Sequence, residues 1–447
     1  MKFLPPILLS LLAAAAAAQT PPASSAARSA PPTSATCPAG LPAQTRCLTG
    51  QDSAGAFYWM AVPARWDRVL VLHAHGGPEL GDPKPERSAA DLTRWAITVR
   101  AGHAWAGSTF RQGGVEVRAA AEDTERLRQI FVQHVAQPRR TLLHGQSWGA
   151  SVAAKGAEMF ATALDGRPPY DGVLLTSGVL GGGTQSYDFR LDLRVVYQAL
   201  CNNHPLPHET AYPLWQGLPP DSALTRAELA RRVDECTGLR FKPEQRSATQ
   251  QRTLTSLLTV LRIPERSLIG HLNWGTWHFA DVVSKRLDGG NPFGNIGARY
   301  VGSDDDEALN AKVARYRADP QAVARFSTDT DPNGRIAVPV LAAHAIDDPV
   351  AFVELEDVFR QTMQQAGFEA NLVQVFTGEA EHSYWSDPEY PALLEALLAW
   401  VERDEKPSAT RVAQACERMK ASFPGGCHFV ESYIPPPLSR RVTPRER

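Results

Sequence analysis

The feature that most constrains how this chain can fold is an apolar run that ends in a Gly-x-Ser-x-Gly pattern. Residues 142–150 read Leu-Leu-His-Gly-Gln-Ser-Trp-Gly-Ala, and a stretch of small residues follows. This combination predicts a buried strand that turns sharply into a helix, with Ser147 at the turn. Such a turn is strained, and we expect Gly145 and Gly149 where a Cβ would collide with the adjoining strand or helix. The turn would lift the Ser147 hydroxyl clear of the sheet and aim the backbone amide of Trp148 at whatever the hydroxyl attacks.

The first 18 residues have the parts of a secretory signal peptide. Lys2 supplies a positive charge, and residues 7–18 are apolar and end in a run of alanines. Pro5, Pro6 and the shortness of the apolar core argue against the alternative, a single anchoring helix. Residues 19–42 are rich in Ala, Ser and Pro, which predicts a disordered linker. We therefore expect a secreted or periplasmic protein.

The composition narrows the range of partners. Hydrophobic residues make up 43% of the 447 residues and charged residues 21%, which is enough for a substantial core. The formal net charge of −2 gives no electrostatic reason to expect nucleic acid or an anionic membrane as a partner. Beyond the N-terminus, no apolar run is long enough to span a bilayer. We expect no cofactor, and the oligomeric state is left open.

Six cysteines follow the predicted signal peptide, and their even number in an exported chain indicates disulfide bonds. They are Cys37, Cys47, Cys201, Cys236, Cys416 and Cys427. The sequence does not fix the pairing. We favour the pairing of neighbours along the chain, since each such pair brackets one local segment. A zinc site is the alternative, but the chain has no Cys-x-x-Cys pattern, and we expect no metal.

Strands and helices alternate in two parts of the chain. Apolar, β-rich runs predict strands at 56–62, 69–73, 104–108, 172–176, 338–343 and 372–376. Between them apolar residues recur at helical spacing, as in 117–135. This alternation predicts a mostly parallel central sheet with helices on both faces. We assign the core to residues 43–177 and 336–405, and a Pro- and Arg-rich tail to residues 406–447.

The alternation stops between residues 178 and 335. This segment contains helical pieces and aromatic residues, and it is too long for a loop. We interpret it as a large, mainly helical lid inserted over the site. Trp274 and Trp277 either bind substrate or belong to the small core of the lid. Residues 303–306, Ser-Asp-Asp-Asp, look like calcium ligands, but the interpretation that we favour is capping of the helix that follows.

A nucleophile, an acid and a base each follow a different predicted strand. They are Ser147, Asp348 after the strand at 338–343, and His382 after the strand at 372–376. Because the carboxyl ends of parallel strands meet at one edge of a sheet, we expect these side chains to converge. A hydroxyl activated by a histidine that an acid orients is suited to nucleophilic acyl transfer. Asp347 is the alternative acid, which we interpret as a surface or loop-capping residue.

The order Ser, Asp, His and the Gly-x-Ser-x-Gly pattern resemble the α/β-hydrolases. The resemblance runs from a His-Gly-Gly-Pro motif at 75–78 to the last predicted core helix, and it leaves out the lid and the tail. It implies an α/β-hydrolase fold in which Ser147 attacks an acyl carbon, His382 carries the proton and Asp348 holds the imidazole. One departure is Ala345, which replaces the usual glycine three residues before the acid.

The same resemblance assigns the oxyanion hole. In α/β-hydrolases one donor is the amide after the nucleophile and the other follows an early strand. These positions correspond to Trp148 and to Gly77 of the His-Gly-Gly-Pro motif. We choose Gly77 because a bare backbone would let its amide approach the reacting carbonyl.

The motifs are similar to those of more than one kind of hydrolase. His-Gly-Gly-Pro with Gly-x-Ser-Trp-Gly is similar to prolyl aminopeptidases, although Glu79 stands where that family continues with glycine. Residues 102–114 look more like secreted esterases of the feruloyl-esterase kind and prolyl-oligopeptidase-like enzymes. An aromatic lid, with Trp148 and Trp385 beside the catalytic pair, suits an aromatic or apolar ester. We therefore expect a serine esterase with a small-molecule ester substrate.

Two other functions stay open. A peptidase for short peptides would need an acid to hold the free amine of its substrate, and the acids that could do so are Glu79, Asp281 and the cluster at Asp304. A hydrolase fold without turnover that serves only for binding is the third possibility, which an intact Ser, Asp and His set disfavours.

Overall fold

One ten-stranded sheet runs through the part of the chain that the structure describes. The structure is a computed structural model that describes residues 29–162, 166–383 and 385–446. Numbered in chain order, its strands are β1 (Thr33–Ala35), β2 (Arg46–Gln51), β3 (Phe57–Val62), β4 (Val69–Ala74), β5 (Ala104–Ser108), β6 (Arg140–Gln146), β7 (Gly172–Thr176), β8 (Val340–Ala345), β9 (Leu372–Thr377) and β10 (Phe429–Val430). Their order across the sheet is β1-β2-β3-β5-β4-β6-β7-β8-β9-β10. The strands from β4 to β9 are parallel, and β1, β2, β3 and β10 pair antiparallel.

Helices cover both faces of this sheet. They are α1 (Glu86–Arg94), α2 (Ala96–Arg100), α3 (Val117–His134), α4 (Trp148–Met159), α5 (Gly182–Ser186), α6 (Asp188–Cys201), α7 (Arg226–Thr237), α8 (Ala248–Leu261), α9 (Leu268–Asn273), α10 (Phe279–Asp281), α11 (Asp306–Lys312), α12 (Pro320–Thr330), α13 (Leu355–Ala366), α14 (Glu389–Arg403) and α15 (Ala409–Met419). The strand order, the parallel centre and the helical insertion before β8 make this an α/β-hydrolase fold, as the sequence predicted.

Alternate residues of the central strands face two opposite cores. In β4, Leu70 and Leu72 join the core that α3, α4 and α13 cover, while Val69 and Val71 join the core beneath α1, α2 and α14. Both faces are buried, so these strands are continuous apolar runs in the sequence. This continuity explains why most of the parallel strands could be predicted to within two residues.

The segment between β7 and β8 has a core of its own. It contains the helices α5 to α12, and apolar side chains such as Leu193, Leu257 and Phe293 pack together there. The disulfide Cys201–Cys236 joins the end of α6 to the end of α7. The lid therefore folds around its own hydrophobic cluster.

Part of the segment that we predicted to be a disordered linker, residues 19–42, belongs to the sheet. Residues 33–35 form β1, which pairs with β2, and the disulfide Cys37–Cys47 fastens the same segment to β2. The Ala-, Ser- and Pro-rich composition of this segment does not indicate an edge strand of three residues that a disulfide holds in place. The predicted signal peptide, residues 1–18, and the first part of the predicted linker lie outside the described residues.

The tail folds back onto the body. Helix α15 packs on α14, β10 extends the sheet beside β9, and the disulfide Cys416–Cys427 ties α15 to the segment before β10. Further on, Arg445 pairs with Asp192 of the lid, and both side chains are buried. The three disulfides are the neighbouring pairs that the sequence favoured. Among the described residues, no helix combines the length and the apolar character that crossing a membrane requires.

Candidate active site

The turn between β6 and α4 holds its serine in a strained conformation. Ser147 has φ 58° and ψ −122°, which a residue with a side chain adopts only where the surroundings impose it. A Cβ on Gly145 would lie less than 3 Å from the backbone of α4, and one on Gly149 less than 3 Å from the backbone of Ala74. The two glycines are therefore required for the close approach of helix and strands, as predicted.

Three side chains from three strand ends form one chain of hydrogen bonds. The His382 Nε2 lies 2.7 Å from the Ser147 Oγ. The His382 Nδ1 lies 2.7 Å from one carboxylate oxygen of Asp348 and 3.0 Å from the other. With a proton on Nδ1, the imidazole donates to the carboxylate and its Nε2 accepts the serine hydroxyl. The structure brings Asp348 to this position, while Asp347 lies exposed on the loop.

The Asp348 carboxylate is buried and held as an anion. Its Oδ1 also accepts the backbone N–H groups of Val350 and Ala351, at 2.8 Å and 2.9 Å. Burial by itself would raise the pKa of Asp348. The charge of His382 and hydrogen bonds from His344 and His382 outweigh burial, and they hold the pKa well below its ordinary value. The acid is therefore ionised at neutral pH.

A second histidine supports the acid from behind. The His344 Nδ1 lies 2.9 Å from a carboxylate oxygen of Glu356, and its Nε2 lies 3.0 Å from the carbonyl oxygen of Ala351 and 3.5 Å from Asp348. Both ring nitrogens thus face groups that accept hydrogen bonds, which a doubly protonated imidazolium satisfies. Burial lowers the pKa of His344, but Asp348 and Glu356 outweigh it and raise the pKa to about 10.

The two predicted oxyanion donors face the same cavity as Ser147. Trp148 is the first residue of α4, so its amide has no acceptor within the helix. Gly77 has φ +71°, and a Cβ there would meet nothing within 4 Å. Glycine is therefore needed at 77 for its backbone conformation, whereas the crowded position is Gly76, where a Cβ would overlap Gln146. Our reason for choosing Gly77, the close approach of its amide to a reacting carbonyl, concerns the substrate and stays a prediction.

The cavity above Ser147 has a volume of about 420 Å³. Residues of the lid and of the sheet loops form its walls. The apolar and aromatic ones are Pro78, Trp148, Val179, Tyr187, Trp274 and Val350, and the cationic ones are Arg87, Arg94 and Arg190. Glu381 also lines it and pairs with Arg266 outside, at 3.3 Å. The surroundings of the serine are therefore part aromatic and part cationic.

The predicted aromatic substrate contacts divide into two groups. Trp274 lines the cavity, with its ring 4.1 Å from that of Tyr187. Trp277 packs on the lid core, with the Arg226 guanidinium over its ring, and does not line the cavity. Trp385 is buried against Tyr390, at 5.6 Å between ring centres, and also lies off the cavity wall. We had predicted Trp385 as a substrate contact because it lies close to His382 along the chain, but it does not line the cavity.

Tyr187 and Arg190 line the cavity although no sequence motif identified them. Both belong to the turn and helix that open the lid, at the end of α5 and in α6. The sequence Asp-Phe-Arg-Leu-Asp-Leu-Arg at 188–194 alternates charged and apolar residues, and the structure buries all four charged side chains. Charged residues buried in a helix are rare unless they have partners or a function, so this pattern was the available signal.

One group of possible metal ligands occurs in the described part of the chain. Glu379, Glu389 and His428 place one ligand atom each within 4.8 Å of one another. Glu379 belongs to the loop that carries His382, but none of the three residues lines the cavity. His428 already bonds to both carboxylates, with its N–H 2.7 Å from Glu389 and its Nδ1 2.9 Å from Glu379. The cluster is thus satisfied by its own hydrogen bonds.

Comparison with known proteins finds likeness at the level of structure. No protein-family model matches the chain, and no curated protein matches it in sequence. An esterase from Aspergillus oryzae is 13% identical over 81% of each chain, with a TM-score of 0.44. Feruloyl esterase B from the same organism is 12% identical over 86% of this chain and 89% of its own, with a TM-score of 0.41. A thermophilic carboxylesterase from a metagenomic library is 12% identical over 86% and 90%, with a TM-score of 0.39. At such low identity, what this chain does has to follow from its own residues.

Proposed function

We propose that this protein is a serine hydrolase that cleaves carboxylic esters. The observation that carries the proposal is the unbroken chain of contacts Ser147–His382–Asp348 at a strained turn inside a cavity. A buried ionised acid, an imidazole in the orientation that it fixes and a hydroxyl within 2.7 Å of the free ring nitrogen are the parts that acyl transfer needs.

The reaction then proceeds in two halves. The Ser147 oxygen attacks the ester carbonyl as its proton passes to the Nε2 of His382, and the negative oxygen that forms is bound by the amides of Gly77 and Trp148. The imidazolium, which Asp348 stabilises, returns this proton to the departing alcohol and leaves an acyl-enzyme. Water repeats the attack with His382 as base, and the acid is released as the proton returns to Ser147.

The cavity walls support an aromatic or apolar acyl group. Trp274 and Tyr187 present ring faces, and Val179 and Val350 present aliphatic surface, to whatever the serine attacks. Each oxyanion donor contributes about 3 kcal/mol to lowering the barrier in enzymes of this kind.

The peptidase alternative lacks the anchor that it requires. Of the acids that could hold a free amine, Glu79 pairs with Arg87, Asp281 pairs with Arg286 and Lys285, and Asp304 is exposed near Arg252 of the lid. None of these three lines the cavity around Ser147, and the acid that does, Glu381, pairs with Arg266 at 3.3 Å. The cationic residues on its wall disfavour an ammonium group, so ester hydrolysis is the better supported function.

We also propose that the protein acts outside the cytoplasm, in the periplasm or beyond the cell. Three disulfides within one chain support this location, because reducing compartments keep thiols reduced. The residues that would direct export are those of the predicted signal peptide.

A fluorophosphonate probe tests the nucleophile directly. We expect the folded protein to be labelled on Ser147 and Ser147→Ala to lose both the label and ester hydrolysis, with kcat falling by about 10⁶-fold. Ser151→Ala is the matched control, because Ser151 lies one turn further along α4 and only donates a hydrogen bond to Val179, at 2.6 Å. Absence of labelling in the folded wild type would contradict the proposal and favour a binding protein.

A substrate panel separates esterase from peptidase. We expect hydrolysis of 4-nitrophenyl esters and aromatic methyl esters, and no cleavage of proline β-naphthylamide. The opposite pattern, with Ser147 still labelled, would favour the peptidase.

A further inference from the structure

One cation on the cavity wall, Arg190, forms no ion pair with any residue that the structure describes. Arg190 lies in α6, is only 5% exposed, and lines the same cavity as Ser147 and His382. Its Nη1 donates to the carbonyl oxygen of Ser186, at 3.1 Å, and its Nε has no hydrogen-bond partner. Among the described residues no carboxylate lies within ion-pair distance of its guanidinium.

The neighbours of Arg190 are aromatic rings. Its guanidinium carbon lies 4.4 Å from the ring centre of Trp274, 4.5 Å from that of Phe189 and 5.2 Å from that of Tyr187. Ring faces attract a cation, but they do not supply the oxygen or nitrogen acceptors that its N–H groups need for ordinary hydrogen bonds. Burial lowers the pKa of Arg190 to about 9, which leaves it charged at neutral pH. An unpaired charge at this depth is costly unless something binds it.

Other buried arginines of the fold have several partners for their terminal N–H groups, although the Nε of Arg194 also lacks one. Arg194, one turn further along α6, donates to the carbonyl oxygens of Gly217 and Gly275, at 3.0 Å each. Arg445 pairs with Asp192. On the cavity wall itself, Arg87 bonds to Asp91, at 2.9 Å. Arg190 differs from these because only one hydrogen bond and no ion pair hold its guanidinium among the described residues, and it lines the cavity that contains Ser147.

We propose that Arg190 is a substrate-binding residue that holds a carboxylate of the ester. Guanidinium and carboxylate form paired, charge-assisted hydrogen bonds, and Arg190 lines the cavity in which such a carboxylate would lie. The aromatic neighbours would fix the plane of the guanidinium and pack on the apolar part of the substrate. The inference rests on the proposed ester hydrolysis and adds its substrate class, which is esters that carry a carboxylate on their acyl or their alcohol part.

Two matched pairs of esters test this. The pair 4-acetoxybenzoate and 4-acetoxybenzamide places the carboxylate or its neutral counterpart on the alcohol side. Mono-4-nitrophenyl adipate and 4-nitrophenyl hexanoate do the same on the acyl side. The enzymes are the wild type, Arg190→Met, Arg190→Lys and the control Arg252→Met, which removes an exposed lid cation that does not line the cavity.

We expect the wild type to prefer the charged member of at least one pair. In that pair Arg190→Met should lower kcat/KM for the carboxylate ester about 10- to 100-fold while changing the neutral ester by less than about threefold. Arg190→Lys should keep part of the preference, and Arg252→Met all of it. Should Arg190→Met fail to fold, competitive inhibition of the wild type by benzoate, with benzamide as the neutral control, gives the same information.

Two outcomes would overturn the inference, and they differ from failure of the proposed function. A wild type that is labelled on Ser147 but shows no preference in either pair and no inhibition by benzoate does not bind carboxylates. An equal loss on charged and neutral esters in Arg190→Met would make Arg190 a structural residue of the lid. If neither pair is hydrolysed and Ser147 takes no label, the proposed esterase itself fails, and this inference with it.

Discussion

Glu389 should make the stability of this protein fall as the pH rises from about 4 to 8. It is the first residue of α14 and is fully buried. The Thr377 hydroxyl lies 3.2 Å from its carboxylate, and the N–H of His428 donates to it at 2.7 Å. Burial, with a smaller contribution from the charge of Glu379, raises the pKa of Glu389 from 4.5 to about 7. The folded protein therefore keeps a proton that the unfolded chain has already lost.

The direction and size of the effect follow from proton linkage. Below pH 4.5 the residue is protonated in both states and no stability is lost. Between the two pKa values the folded state binds more protons than the unfolded state, so stability decreases with pH, and the loss is complete above pH 7. A shift of about 2.5 pKa units, at 1.36 kcal/mol per unit, corresponds to about 3 kcal/mol.

The assay is denaturation by guanidinium chloride at constant ionic strength, followed by tryptophan fluorescence, for wild type and Glu389→Gln. Glutamine cannot ionise, so its effect on the free energy of unfolding should be more favourable at pH 8 than at pH 4 by about 3 kcal/mol. Glu395→Gln, a change on the same helix at an exposed residue paired with Arg418, should show no such difference. Parallel pH profiles for wild type and Glu389→Gln would refute the reasoning, since they would mean that the buried carboxyl has an ordinary pKa.

Three further predictions have definite expected outcomes. Gly149→Ala should lower the free energy of unfolding by about 1–3 kcal/mol and reduce labelling of Ser147, because the added Cβ would overlap the backbone at the end of β4. The control is Gly270→Ala, where nothing lies within 4 Å of the added Cβ, and we expect it to leave the free energy of unfolding unchanged or raised. His344→Asn should cost about 3–5 kcal/mol of stability at pH 7. The raised pKa of His344 means that its contribution is complete below about pH 6.5 and is lost as the pH rises through about 10, so the gap to wild type should close there; a gap independent of pH would contradict a charged His344. Thiol titration of denatured, unreduced protein should find almost no free cysteine, and six free thiols would exclude the disulfides.

The parallel strands and the convergence of Ser147, Asp348 and His382 could be predicted because local sequence determines them. Each strand is a buried apolar run, and each of these residues lies in the loop or turn that follows such a run. Once the strands are parallel, their ends meet at one edge, so Ser147, Asp348 and His382 are brought together by topology. The choice of Asp348 over Asp347 came from the spacing that the resemblance to α/β-hydrolases implies.

The antiparallel strands near the two edges of the sheet were harder to predict from the sequence. In β2, Arg-Cys-Leu-Thr-Gly-Gln, only the two residues Cys47 and Leu48 are buried, and the strand has polar residues on either side of them. The strands β1 and β10 have three and two residues, and pairing to a neighbour, not their composition, makes them strands. Short edge strands of this kind carry too little hydrophobic pattern to predict.

The cavity wall depends on how the lid packs, which no local pattern encodes. The stretch at 188–194 alternates charged and apolar residues as a half-buried strand would, yet it forms the start of α6 with every charged side chain buried. The partners that make this tolerable come from elsewhere, namely Arg445 in the tail for Asp192, and backbone carbonyls of the lid for Arg194. Tertiary partners thus account for the charges of Asp192 and Arg194, whereas Arg190 forms no ion pair among the described residues. Arg190 is therefore the residue of α6 to test for substrate recognition. We therefore expect the residues at the strand ends to determine the reaction, and Arg190 to determine which substrates are preferred.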